Sequence, residues 1–73
     1  MTFCVTGSLS MGTRRFVHKR IVQAGGCTHR TVVAHTDYLV TGERPGQSKV
    51  RAAGRHRVRL ISEQELIDLL RGR

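Results

Sequence analysis

Apolar and polar positions along this chain fall into seven short blocks, each with its own period. Thr2-Phe3-Cys4-Val5-Thr6 is a β-prone apolar run stopped by Gly7, which predicts a buried first strand. Gly7 to Gly12 reads as a loop. From Thr13 the period lengthens: Val17, Ile21 and Ala24 fall at i, i+4 and i+7, while Arg14, Arg15, His18 and Lys19 take other faces. That spacing predicts an amphipathic helix. Gly25-Gly26 ends it, because the residue after a helix C-cap commonly takes positive φ. Cys27 to Arg30 predicts a short second strand, Thr31 to Thr36 a connector, and Asp37 to Thr41 a third strand bounded by Gly42. Glu43 to Gly46 holds the only proline and reads as a turn. Gln47 to Ala53 predicts two helical turns before Gly54, and Val58 to Ile61 a fourth strand. Ser62-Glu63-Gln64-Glu65 is a capping-box sequence, followed by Leu66, Ile67, Leu69 and Leu70 as the apolar face of a last helix. The order β-α-β-β-α-β-α favours an α/β domain with a parallel sheet covered by helices on both faces. No internal repeat or linker interrupts it, so residues 1–73 read as one domain.

Charge changes the picture more than length does. The 73 residues carry 13 Lys and Arg against five Asp and Glu, a formal net charge of +8. Residues 1–36 contain no acid at all, yet hold Arg14, Arg15, Lys19, Arg20 and Arg30. A second basic run (Lys49, Arg51, Arg55, Arg57, Arg59) follows, and three of the five acids cluster in Glu63, Glu65 and Asp68. A charge run is ordinarily a solvated face that keeps a small domain soluble. An acid-free stretch of this length beside a second basic cluster points instead to a polyanionic or phosphate-bearing partner. A chain of this size buries only about 60% of its unfolded surface, which disfavours a deep active site of its own. One Tyr, two Phe and no Trp leave almost no material for stacking bases. No apolar run approaches the roughly 18 residues of a membrane span and no signal peptide is recognisable, so a soluble, cytoplasmic, nucleoid-associated module with no membrane partner is expected.

Two local features carry candidate chemistry. Val5-Thr6-Gly7-Ser8 ends a strand in a hydroxyl, an amide made approachable by glycine, and a loop leading to a helix start. Such groups bind phosphate oxygens, although Thr-Gly is also a common turn. Gly46-Gln47-Ser48-Lys49 places a lysine in the first turn of a helix, the unfavourable end of its dipole for a cation. The ammonium tolerates that place better when it faces an anion. The spacing of a nucleoside-triphosphate P-loop is absent.

Thr6-Gly7, Gly25-Gly26, Thr36-Asp37-Tyr38-Leu39-Val40, Gly46-Gln47-Ser48-Lys49 and Ile61-Ser62-Glu63 through Leu70 run in the order of a BRCT domain, which the chain resembles over essentially its whole length. It looks most like the branch found in bacterial NAD-dependent DNA ligases, in the large subunit of replication factor C and in epsilon-type polymerase exonucleases. The resemblance implies a four-stranded parallel sheet in order 2-1-3-4, with the first and last helices on one face and the middle helix on the other. It also implies a phosphate pocket built from Thr6, Gly7 and Lys49, with Ser8 beside them and Arg14 at the place of an arginine that helps hold a DNA 5′-phosphate. Three places depart from the pattern. Ala52 stands where a second lysine is usual, His56-Arg57 where Leu-Gly closes the middle helix, and the last helix lacks the tryptophan of phosphopeptide-reading tandem domains.

Other chemistries find little support. Cys4 and Cys27, without a CxxC pair, read as buried thiols. His18, His29, His35 and His56 lack zinc spacing and read as surface or partly satisfied imidazoles. Asp37 reads as a turn or strand-end residue, and Ser62 as a cap. The expectation is a non-catalytic binding module of a DNA replication or repair protein, with no cofactor and no metal. Its partner is DNA, preferably a 5′-phosphate end, with Arg15, Lys19, Arg20, Arg51 and Arg55 attracting the backbone. The alternative is an adaptor that docks a partner protein or phosphopeptide.

Overall fold

The strands order the molecule. In a computed structural model that describes residues 1–10 and 12–71, β1 (Thr2–Thr6), β2 (Cys27–His29), β3 (Tyr38–Thr41) and β4 (Arg59–Ser62) form one sheet in the order β2-β1-β3-β4. All three pairings are parallel. Parallel neighbours require a crossover, and helices supply it. The helices are α1 (Arg14–Gln23), α2 (Gln47–Arg55) and α3 (Glu63–Leu70).

Alternation along the central strands divides the core in two. Phe3 and Val40 pack with Val17 and Ile21 of α1, Leu66 of α3 and Ile61. Cys4 and Leu39, each next to one of these along its strand, pack with Ala53 of α2, Val32 and Val58. Side chains of successive strand residues point to opposite faces, so α1 and α3 cover one face and α2 the other. The four-stranded order and the helix placement are those that the resemblance implies.

The differences from the sequence reading are local. β2 stops at His29 rather than Arg30, because it is a three-residue edge strand with a neighbour on one side only. Asp37 lies just outside β3. Its carboxylate accepts from the Thr2 amide at 2.7 Å and its own amide donates to the Thr2 carbonyl, tying the third strand to the start of the first. β4 begins at Arg59 and runs to Ser62, one residue later at each end than the apolar run. Ala24 is not on the buried stripe of α1 but at its C-cap, exposed. Cys4 is buried, but Cys27 is exposed at the sheet edge, a correction to the expectation of two buried thiols.

Helix α2 does not stop before Gly54; it runs on to Arg55. A Cβ at Gly54 would meet nothing within 4 Å, so this glycine lies in an ordinary exposed helical position. The stop comes at Arg57, whose φ is +57°. The Val58 amide donates to the Ala53 carbonyl at 2.8 Å and the Arg57 amide to Gly54 at 3.4 Å, the paired bonds of a Schellman motif. Helix α1 closes in the same way with Gly25 at φ +90° and the Gly26 amide on Ile21 at 2.9 Å. At α3 the capping box forms: Ser62 accepts from the Glu65 amide, and Glu65 accepts from the Ser62 amide. No helix among the described residues is long and apolar enough to cross a membrane.

Candidate functional site

Parallel strands deliver their carboxyl ends to one edge of the sheet, and ligand sites of open α/β sheets form there. In this chain the end of β1, the start of α1, the loop after β3 and the start of α2 surround a cleft of about 550 Å³. Thr6, Gly7, Ser8, Arg14 and Lys49 all line it. These are the five residues singled out in the sequence as phosphate-binding, drawn from three separate segments.

Each is held by an identifiable contact or position. Thr6 is 2% exposed, and its Oγ1 accepts the Gly46 amide at 2.7 Å, which pins the N-cap of α2 to the end of β1. That bond uses a lone pair and leaves the hydroxyl proton to donate. Gly7 has φ +85°, and a Cβ there would lie 2.6 Å from the Glu43 carbonyl oxygen. Glycine is therefore required by the backbone itself, apart from any ligand. Among the described residues no backbone acceptor takes the Gly7 amide. The Ser8 amide, by contrast, is already committed to the Glu43 carbonyl at 2.9 Å, leaving Ser8 its exposed hydroxyl as the available group. Lys49 is half-buried and places Nζ 3.4 Å from the Val5 carbonyl, a long bond that an anion could displace. Arg14 is exposed at the first position of α1.

The electrostatics share one sign. Both α1 and α2 turn their N-termini to the cleft, and neither has an acid in its first turn. Helix α3, whose start does not line this cleft, carries Glu63 and Glu65 there. Among the described residues, no carboxylate side chain lines the cleft. Partial positive charge at two helix ends, together with Arg14 and Lys49, makes an anion the complementary ligand. The field reaches the core: burial pushes the Cys4 thiol up, while Lys49, a backbone hydrogen bond at Val5 and Arg14 pull the other way.

The remaining basic residues divide. Arg15 lines a second groove between α1 and β2, which also includes Arg14 and Lys49. Lys19 and Arg20 on α1, and Arg51 and Arg55 on α2, are exposed but line neither depression. Two site residues escaped the sequence reading. Arg44 lines the first cleft from the β3–α2 loop with φ +53°, and Arg30 lines the second groove. Arg44 sat in a segment legible only as a turn; its position before Pro45 in a charged loop was the one available signal. All four histidines are exposed, and His18 shares a hydrogen bond with the Thr28 hydroxyl.

Comparison with known proteins places the chain in a family. The family model for the BRCA1 C Terminus (BRCT) domain matches residues 1–70. A DNA ligase of Natronomonas pharaonis is 42% identical over 69 residues, covering 94% of this chain and 10% of that protein. A DNA ligase of Hydrogenobaculum sp. is 39% identical over 70 residues, 96% of the chain and 10% of the ligase. A DNA ligase of Thermotoga maritima is 37% identical over 73 residues, 100% of the chain and again 10% of the ligase. The chain thus spans about a tenth of the length of these relatives. A match from the first strand into the last helix, on a sheet of order β2-β1-β3-β4, means that this chain belongs to the BRCT family.

Proposed function

We propose that this chain is a DNA-binding module of a replication or repair protein of the ligase type, and that it seats a DNA phosphate, preferably a 5′-phosphate end, in the cleft between the starts of α1 and α2. One observation carries the reading: a buried hydroxyl, an approachable glycine amide, a lysine and an arginine meet in one cleft, free of carboxylates among the described residues, at two helix N-termini.

The Thr6 hydroxyl donates to one phosphate oxygen and the Gly7 amide to another. Lys49 leaves its long contact with the Val5 carbonyl and supplies a point charge. The planar guanidinium of Arg14 takes two oxygens in a fork, as charge-assisted pairs do. Ser8 adds a hydroxyl at the mouth of the cleft. A terminal phosphate monoester suits this set better than an internal phosphodiester, since it offers more charge and a third free oxygen. Arg15, Lys19, Arg20, Arg51 and Arg55 raise the local concentration of DNA without reading its sequence. That the similar proteins are DNA ligases supports DNA as the partner.

The test compares duplexes with and without a 5′-phosphate across a salt series, and then a phosphopeptide. The phosphorylated duplex should bind more tightly, with affinity falling steeply as salt rises. Lys49→Ala should weaken binding of that duplex about tenfold, the worth of one charge-assisted hydrogen bond, and narrow the gap between the two duplexes. Arg14→Ala should do the same; being exposed, it also controls for any loss of folding. Equal affinity for both duplexes would refute the end-binding claim, and preference for the phosphopeptide would replace DNA with a protein partner.

A further inference from the structure

The second groove, about 800 Å³, opens directly beside the phosphate cleft. Arg14 and Lys49 belong to both walls. Beyond them the groove is lined by Arg15 and His18 from α1 and by Thr28, His29 and Arg30 at the end of β2. Among the described residues, no carboxylate side chain lines it. Four formal cations therefore share one depression, and their mutual repulsion is uncompensated within it. The hydrogen bond between Thr28 and His18 uses the imidazole Nδ1, which leaves Nε2 as the nitrogen for another partner. Because β2 is a three-residue edge strand, the groove is open along the sheet edge.

We propose that this α1–β2 groove seats the phosphodiester that follows the terminal phosphate, so that the nucleic-acid strand leaves the cleft over the β2 edge. The inference rests on the cleft being a phosphate site and names what lies next to it. One phosphoryl group is complementary to one cleft. A second depression of the same sign that shares two cations with the first calls for a second anion close by. Successive phosphates of one strand meet that demand, since the backbone advances only about 3.4 Å along the helix axis per nucleotide. Arg30 and Arg15 then hold the following phosphate, and Arg14 and Lys49 stand between the two. A singly phosphorylated peptide carries no second phosphate at that spacing and would leave the groove unfilled.

The experiment measures binding of a 5′-phosphorylated mononucleotide and of 5′-phosphorylated and unphosphorylated oligonucleotides over a salt series. It uses the wild-type chain, Arg15→Ala/Arg30→Ala, and Lys19→Ala/Arg20→Ala, which removes the same charge from outside both depressions. The groove variant should keep its preference for the phosphorylated end but lose most of the affinity gained from mononucleotide to oligonucleotide. Its salt dependence, log K against log salt, should flatten by about one unit for each phosphate that the variant no longer neutralises. The control variant should lose less. Equal losses in the two double variants, or an unchanged length dependence with the end preference intact, would overturn the groove and leave the cleft standing. Absence of any end preference in the wild type would instead sink the cleft reading, and the groove with it.

Discussion

Thr6 and Gly7 each have a structural duty apart from any ligand, which is why either alone says little in a sequence. The Thr6 oxygen holds the start of α2 through the Gly46 amide, and its proton remains for a ligand. Gly7 is required because the Glu43 carbonyl occupies the space of a Cβ, and the same bare backbone leaves its amide approachable. Cys4, beneath them, links the core to the cleft. Burial raises its thiol above the ordinary range, so on raising the pH the unfolded chain loses this proton before the folded one does. Stability from this group is fully present below the ordinary thiol range and declines as pH climbs from there through the folded value. Thermal melts of Cys4→Ala should therefore show a shallower alkaline decline than the wild type. Parallel declines would mean that the thiol contributes nothing to it.

Two helices closing with the same motif show what a single residue contributes at the scale of an element. Helix α1 places Gly25 in the left-handed conformation, where glycine is free of steric penalty. Helix α2 places Arg57 there, where a Cβ costs about 1–2 kcal/mol. The motif survives because the Val58 amide and the Ala53 carbonyl are joined and both residues pack in the α2-side core. Arg57→Gly should stabilise the domain by about 1 kcal/mol, part of the relief being offset by the greater freedom of glycine in the unfolded chain. Urea denaturation reads the change, and a lower midpoint would contradict the reading of this helix end.

Across the whole molecule, fold and charge are coupled through the cleft. The sheet brings two helix N-termini together, and the chain adds cations rather than acids there, against the preference of both dipoles. The free protein therefore carries concentrated positive potential on a small body of radius of gyration 11.0 Å with a formal net charge of +8. An anion that binds the folded state alone stabilises it by mass action, about 2.7 kcal/mol at a hundredfold excess over Kd. Inorganic phosphate should raise the melting temperature relative to chloride at matched ionic strength, and Lys49→Ala should show a smaller rise. Identical shifts in the two proteins would assign the effect to general screening.

Much of this was legible along the chain because it is local. The β-prone apolar run Thr2–Thr6, the i, i+4 spacing of Val17 and Ile21, the Gly25 stop and the Ser62 capping box depend on neighbours a few residues away. The motifs likewise pointed to Thr6, Gly7 and Lys49, and the family resemblance added Arg14. Only the tertiary structure decided what depends on approach between distant segments. That Gly46 donates to Thr6 across 40 positions, that Arg44 turns into the cleft, and that Arg30 joins Arg15 in a second groove follow from strand order and edge position. The length of α2 was settled in the same way. Gly54 is a weak helix residue by propensity, yet Ala53 and Val58 pack on the sheet on either side of it, and that packing outweighs the local preference.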